Sequence, residues 1–136
     1  PAALLALDGR NGSRVWGEVP DVKPWLAGAD IALVPLEIAR GVQNKVLEAM
    51  AMALPVVLTG GAATGIGAKH GEHFMVAEDD AALADAAVAL AQDRANAERL
   101  GRQARRFVVE ELGWAATLGP LAGMLFPDRG AQRHAA

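Results

Sequence analysis

Cysteine is absent from the 136 residues. Disulfides and thiolate metal sites are therefore excluded, and a reducing cytoplasm is the expected setting. Basic charge is also scarce: 13 Lys and Arg stand against 16 Asp and Glu, for a net charge of −3 and a pI of about 5.6. The electrostatic footprint of a nucleic-acid binder is missing. No apolar run reaches the roughly 20 residues that a membrane-spanning helix needs. The phosphate-cradling motifs are lacking too, because TGGAATGIG (59–67) has neither a following GK[ST] triplet nor G-x-G-x-x-G spacing. What remains is a chain with 52% apolar and 21% charged residues, which suits one α/β domain built around a buried sheet.

The most informative stretch is Asp30 to Thr59, ADIALVPLEIARGVQNKVLEAMAMALPVVLT. Ile31 to Pro35 and Pro55 to Thr59 are short apolar runs of the kind found in parallel strands buried on both faces. Between them Val42, Val46, Met50 and Ala53 recur at three- and four-residue steps, with Leu47, Ala51 and Leu54 widening the stripe, which predicts a helix packed on the sheet. Arg40, Gly41, Val42, Gln43, Asn44 and Lys45 crowd the entry to this helix, and Glu48 follows. A helix that begins past the carboxyl end of a parallel strand aims unpaired N–H groups and a partial positive charge at the crevice there. An anion, a diphosphate in particular, is the ligand such an entry suits, with Lys45 as a point cation against it.

GVQNKVLEAMAMALPVV, preceded by ADIALVP and followed by a Gly-rich turn, resembles the nucleotide-sugar-binding signature of glycosyltransferase family 4. Within that family IARGVQNKVLEAMAM is most similar to sugar transferases associated with bacterial exopolysaccharide and exosortase systems. The resemblance extends through VWGEVPDVKPWLAGADIA, GEHFMVAEDDAALADAAVAL and GRQARRFVVEELGWAATL, so it covers most of the chain. It implies the carboxy-terminal half of a two-domain GT-B fold and a retaining transfer from a UDP- or GDP-sugar without a bound metal. The acceptor, a glycan or lipid-linked molecule, would be held by an amino-terminal domain. The family pattern places two glutamates eight positions apart. The second falls on Glu48, which the resemblance assigns to the ribose hydroxyls, whereas the first falls on Arg40, where the family's sugar-contacting glutamate is replaced. The resemblance also sets Gly17, Glu18 and Val19 under the base, and Thr59, Gly60 and Gly61 beside the donor sugar. No catalytic base or nucleophile is identifiable, and Arg40 and Lys45 are the candidates for stabilising charge.

Elsewhere the sequence speaks mainly of packing. Pro1 to Leu7 is helix-like, DGRNGS (8–13) is turn-rich, and Arg14 to Gly17 reads as a strand closed by glycine. Asp21 is expected to cap a helix through Pro24 and Trp25, with Trp25 in the core. His70 and His73 have H-x-x-H spacing, yet no third ligand lies near and His73 to Val76 reads as a strand, so no metal site is expected. Asp79 or Asp80 caps a helix carrying Leu83, Ala86, Ala87, Leu90 and Ala91, which ends near Arg94 and Asn96. A second helix carries Leu100, Ala104, Phe107, Val108 and Leu112. Its arginines 99, 102, 105 and 106, interleaved with Glu98, Glu110 and Glu111, describe a salt-bridged solvent face. Trp114 to Phe126 forms a last helix.

The expected fold is a Rossmann-like, three-layer αβα sandwich with a parallel sheet of about four strands (14–17, 31–35, 55–59, 73–76). It would occupy residues 1–126, as a partial nucleotide-sugar-binding domain lacking its first strand and the amino-terminal acceptor domain, with a frayed tail at 127–136. Ligands of such sheets bind outside the carboxyl ends of the strands. The expected function is donor binding in a glycosyltransferase of bacterial exopolysaccharide or cell-surface glycan synthesis, cytoplasmic or peripheral to the inner membrane. A GT-B sugar-nucleotide epimerase and a catalytically silent nucleotide-sugar-binding domain are the alternatives. A receiver-like domain is more distant, because Asp30 precedes its strand where a phosphoacceptor would follow it.

Overall fold

The computed structural model describes residues 2–125. Three parallel strands in the order β1-β2-β3 form the sheet: β1 (Ala32–Val34), β2 (Val56–Thr59) and β3 (Met75–Ala77). Ala32 is in register with Val56, and Val57 with Met75. Helices α1 (Ala2–Leu5) and α2 (Lys23–Ala27) precede the sheet. Helix α3 (Asn44–Ala51) joins β1 to β2, and the single turn α4 (Gly60–Ala63) follows β2. After β3 come α5 (Asp80–Gln92), α6 (Arg94–Glu111) and α7 (Trp114–Leu125).

Alternate residues of β2 supply two separate cores, as the period-two geometry of a strand requires. Val56 and Leu58 pack with Val46, Ala49 and Met50 of α3, Ala62 of α4, Ile66, Phe74 and Ala104. Val57, on the other face, packs with Leu83 and Leu90 of α5, Ala77 and Leu100. The three β2 residues are fully buried, and so are Val46 and Met50. Helix α6 joins both cores, through Leu100 on one side and Ala104 on the other. A three-layer α/β sandwich results, with α3 and α4 on one face and α5 on the other. Burial of a side chain such as Met50 or Phe74 stabilises the fold by about 1.5–3 kcal/mol.

The seam between α3 and β2 shows why the layers meet so closely. Helix α3 ends with Ala53 at φ +58, Ala53 N–H donating to Met50 C=O and Leu54 N–H to Ala49 C=O. This is a Schellman ending with alanine in the left-handed position that glycine usually takes. Gly101 of α6 lies directly over it, because a Cβ at position 101 would stand 2.0 Å from the Ala53 carbonyl oxygen. Arg105 of α6 also donates to the Ala51 C=O, satisfying a terminal carbonyl of α3.

Several expectations are corrected. Arg14 to Gly17 is not a strand, so among the described residues the sheet has three strands where four were expected. Val15 N–H donates to the Asp8 carboxylate at 2.9 Å instead of a neighbouring strand, and no described strand lies beside this segment. Trp25 is not core: it is 44% exposed and packs on Trp16, itself 63% exposed, with ring centroids 4.6 Å apart. The first strand pairs from Ala32, and the third from Met75, because His73 is engaged in a turn with Lys69. Asp21 accepts from Lys23 N–H at 3.0 Å, but the N-cap of α2 is Val22. The break after α5 falls at Asp93, whose N–H closes α5 on Ala89 and whose carboxylate accepts from Asn96 N–H to open α6. Phe126 and the tail at 127–136 lie outside the described residues.

Candidate functional site

Because the strands are parallel, their carboxyl ends share one edge, and α3, α4 and α5 all begin there. Two of these starts are closed by side chains. The Thr59 hydroxyl accepts from Ala62 N–H at the head of α4, and Asp79 Oδ1 accepts from Ala82 N–H at 2.8 Å at the head of α5. Helix α3 differs, since its N-cap Gln43 makes no side-chain cap; its amide donates at 3.0 Å to the Gly41 C=O. Val46 and Leu47 bond back to Gln43 C=O, which leaves the N–H groups of Asn44 and Lys45 without a partner among the described residues. The positive end of this helix is therefore open to solvent at the carboxyl edge of the sheet.

Local sequence explains the arrangement. Gly41 sits at φ +79, a conformation that glycine adopts without strain, and turns the loop into the helix. Val46, Ala49 and Met50 then take the buried face, so Asn44, Lys45 and Glu48 take the exposed one. Lys45 and Glu48 are one turn apart on that face, and neither forms an ion pair with another described residue. Arg40 is exposed in the loop, and Val42, 46% exposed, lies beside Gly65. The structure thus groups Arg40 to Lys45 with Glu48 around one helix start. Gly17, Glu18 and Val19 lie in an irregular segment before α2, with Val19 half-buried and the other two exposed.

A cleft of about 750 Å³ opens at the same edge, lined by Glu37, Thr59, Gly60, Gly61, Val76, Ala77, Glu78, Asp79 and Asp80. Thr59, Gly60 and Gly61 do border a concavity, but two of them also have packing duties. The Thr59 hydroxyl donates to Leu36 C=O, tying the loop after β1 to the end of β2. A Cβ at Gly61 would lie 2.6 Å from Glu37 O and 2.8 Å from Leu36 O, so only glycine lets α4 approach that loop. The acidic wall was missed by the sequence reading. Glu37 is a lone acid in a loop, with no spacing to mark it, and Asp79 and Asp80 look like the helix start that Asp79 indeed caps. The lining carries four carboxylates and no basic side chain, and Arg40 and Lys45 stand outside it.

The remaining polar clusters have structural work. His70 Nδ1 accepts from Val76 N–H at 2.9 Å, and His73 Nδ1 from Lys69 N–H at 3.0 Å, while the His73 ring stacks on Phe107. No group of three or more candidate ligands for a metal occurs among the described residues. On α6, Glu98 takes Arg94 at 3.0 Å and Arg102 at 3.4 Å. Arg99 binds Asn96, Gln103 and the Gly71 carbonyl. A second concavity, about 460 Å³, lies at the opposite edge of the sheet between Leu26, Ile31, Leu54, Leu90 and Arg94.

Residues 2–93, more than half of the chain, match the family described as glycosyl transferases group 1. The chain belongs to that family. No curated protein matches it. The matched span of this group 1 glycosyltransferase domain contains all three strands, helix α3 and the whole lining of the cleft at the carboxyl edge. No described helix is long and apolar enough to cross a membrane.

Proposed function

We propose that this glycosyltransferase domain binds the donor of a retaining transfer, a UDP- or GDP-linked hexose passed to a glycan or lipid-linked acceptor. On this reading the acceptor is held by a further domain, no resident metal is required, and the product is bacterial exopolysaccharide or another cell-surface glycan. The enzyme would work in the cytoplasm. The observation that carries the proposal is the uncapped start of α3, with Lys45 and Glu48 exposed beside it in a chain of this family.

The chemistry follows from charge. As the glycosidic bond lengthens, negative charge grows on the departing nucleoside diphosphate and must be stabilised where it develops. The free N–H groups of Asn44 and Lys45, the partial charge of α3 and the Lys45 ammonium act on a pyrophosphate placed there. Arg40, on the loop entering the helix, adds to that field. Glu48 accepts hydrogen bonds from the vicinal ribose hydroxyls and so fixes the nucleotide's orientation. The sequence offers no general base or nucleophile for the transfer, so the role assigned to this domain is binding, orientation and stabilisation of the leaving group.

Titration calorimetry of the protein with UDP, GDP and ADP tests the reading. One nucleotide should bind, and Glu48→Ala should lower its affinity about tenfold, the loss expected for hydrogen bonds to a charged acceptor. Equal affinity in the variant would remove Glu48 from the site. A second reading, a domain that binds nucleotide sugar without turning it over, is favoured by Arg40 at the position of the family's first glutamate. Donor consumption by the full-length protein in the presence of a glycan acceptor separates the two.

A further inference from the structure

The loop DGRNGS (8–13), between α1 and the segment leading to α2, contains two pairs in which a side-chain carbonyl carbon precedes glycine, Asp8–Gly9 and Asn11–Gly12. In such a pair the glycine nitrogen can attack that carbon and close a five-membered ring, since glycine has no Cβ to obstruct the approach. The structure treats the two pairs differently. Asp8 Oδ1 accepts from Val15 N–H at 2.9 Å, and Gly9 N–H donates to Ser13 C=O at 2.8 Å, so both reacting groups of the first pair are engaged. In the second pair neither the Asn11 side chain nor the Gly12 N–H has a hydrogen-bond partner among the described residues. Both residues are exposed, and a Cβ placed on Gly12 would meet nothing within 4 Å. Asn11 at φ +49 and Gly12 at φ +77 are the centre of a type I′ turn, closed by Ser13 N–H on Arg10 C=O at 2.8 Å. No residue of this loop belongs to either core or packs against one, so the turn can relax toward ring closure without disturbing the fold.

We propose that Asn11 is a site of spontaneous deamidation, converted with water as the only co-reactant to aspartate and isoaspartate, while Asp8 in the same loop is held intact. The Gly12 nitrogen bonds to Asn11 Cγ and gives its proton to solvent. The Cγ–Nδ2 bond breaks, and Nδ2 takes a proton from water and leaves as ammonia. Water then opens the cyclic imide at one of its two carbonyls. Cleavage of the new N–Cγ bond leaves aspartate; cleavage of the original peptide bond leaves isoaspartate, with the main chain rerouted through the side chain. Nothing is oxidised or reduced. Either product adds one negative charge to a chain whose net charge is −3, and isoaspartate lengthens the backbone inside a turn that has no room for an extra atom between Arg10 C=O and Ser13 N–H. The other two asparagines lack the unhindered nitrogen, because Lys45 follows Asn44 and Ala97 follows Asn96. Asn96 Oδ1 is also held by Arg99 at 2.8 Å.

The test is peptide mass mapping of the folded wild-type protein after incubation in neutral and in mildly alkaline buffer, with isoaspartate read separately by enzymatic methylation from labelled S-adenosylmethionine. The peptide carrying Asn11 should gain the mass of NH exchanged for O, faster at the higher pH, and should accept the methyl label. The peptides carrying Asn44 and Asn96 should stay unchanged. Asn11→Gly keeps a residue suited to the first central position of a type I′ turn and should abolish both signals, with a thermal melt like that of wild type. Isomerisation at Asp8 should appear only when the protein is incubated in urea, where its bonds to Val15 and through Gly9 to Ser13 are lost. Conversion of Asn11 in urea with none in the folded protein would show that the turn protects it, and would overturn the proposal. Conversion of Asn44 or Asn96 as fast as that of Asn11, or of Asp8 in the folded state, would overturn it as well, because the discrimination drawn from the hydrogen bonds would be absent.

Discussion

Gly101 illustrates how a single absent side chain sets the distance between two layers. It lies in the middle of an 18-residue helix, where glycine lowers helix stability relative to alanine by roughly 0.5–1 kcal/mol. The structure keeps it because Ala53 O occupies the space a Cβ would need, at 2.0 Å. Packing therefore outweighs propensity here. Gly101→Ala should destabilise the protein by about 1–3 kcal/mol, since α6 must move away from the α3–β2 turn and both cores share α6. Urea unfolding would check this, and a variant as stable as wild type would show that the contact is looser than described. Glu48 and Thr59 differ in what packing asks of them. Glu48 is exposed with no packing duty, whereas Thr59 has one on each side of its hydroxyl.

At the scale of elements, the turn at Ala53 makes the opposite case. A left-handed backbone costs an alanine about 1–2 kcal/mol, and glycine avoids most of that strain. Ala53→Gly should raise stability by about 0.5–1 kcal/mol, read as a higher urea midpoint at unchanged slope. A lower midpoint would mean that the Ala53 methyl packs more than the strain costs. Much of the element pattern was legible beforehand. Val46, Met50 and their neighbours marked α3, the runs at 31–35 and 55–59 marked β1 and β2, and Asp79 marked the head of α5. Arg14 to Gly17 was not legible, because Val and Trp between a loop and a glycine look like any strand until a pairing partner is sought. Trp25 was misplaced for a related reason: composition tells that a tryptophan wants cover, and its partner turned out to be another exposed tryptophan. The cleft's acidic wall was illegible because Glu37, Thr59 and Asp79 are far apart in the chain and meet only after the parallel strands align.

For the molecule as a whole, exposed charge is arranged along α6. Hydrogen bonds from Arg94, then Arg102, hold the Glu98 carboxyl below its usual value of 4.5, and Glu98 in turn raises the pKa of Arg94. A carboxyl whose pKa is lowered on folding adds stability above its unfolded value and loses it as pH falls through the folded one. The effect therefore lies below pH 4.5, and Arg94 stays charged throughout. Both groups are solvent-exposed, so the contribution is small and weakens with salt. Thermal melts between neutral and acidic pH should fall slightly more steeply for wild type than for Glu98→Gln, and parallel curves would show that the cluster contributes nothing. No such titration is needed at the carboxyl edge of the sheet, where a single hydroxyl latches the loop after β1 onto the last residue of β2. That tether removes backbone freedom from the loop in advance, so a ligand bound against it would leave less conformational entropy to be lost on association.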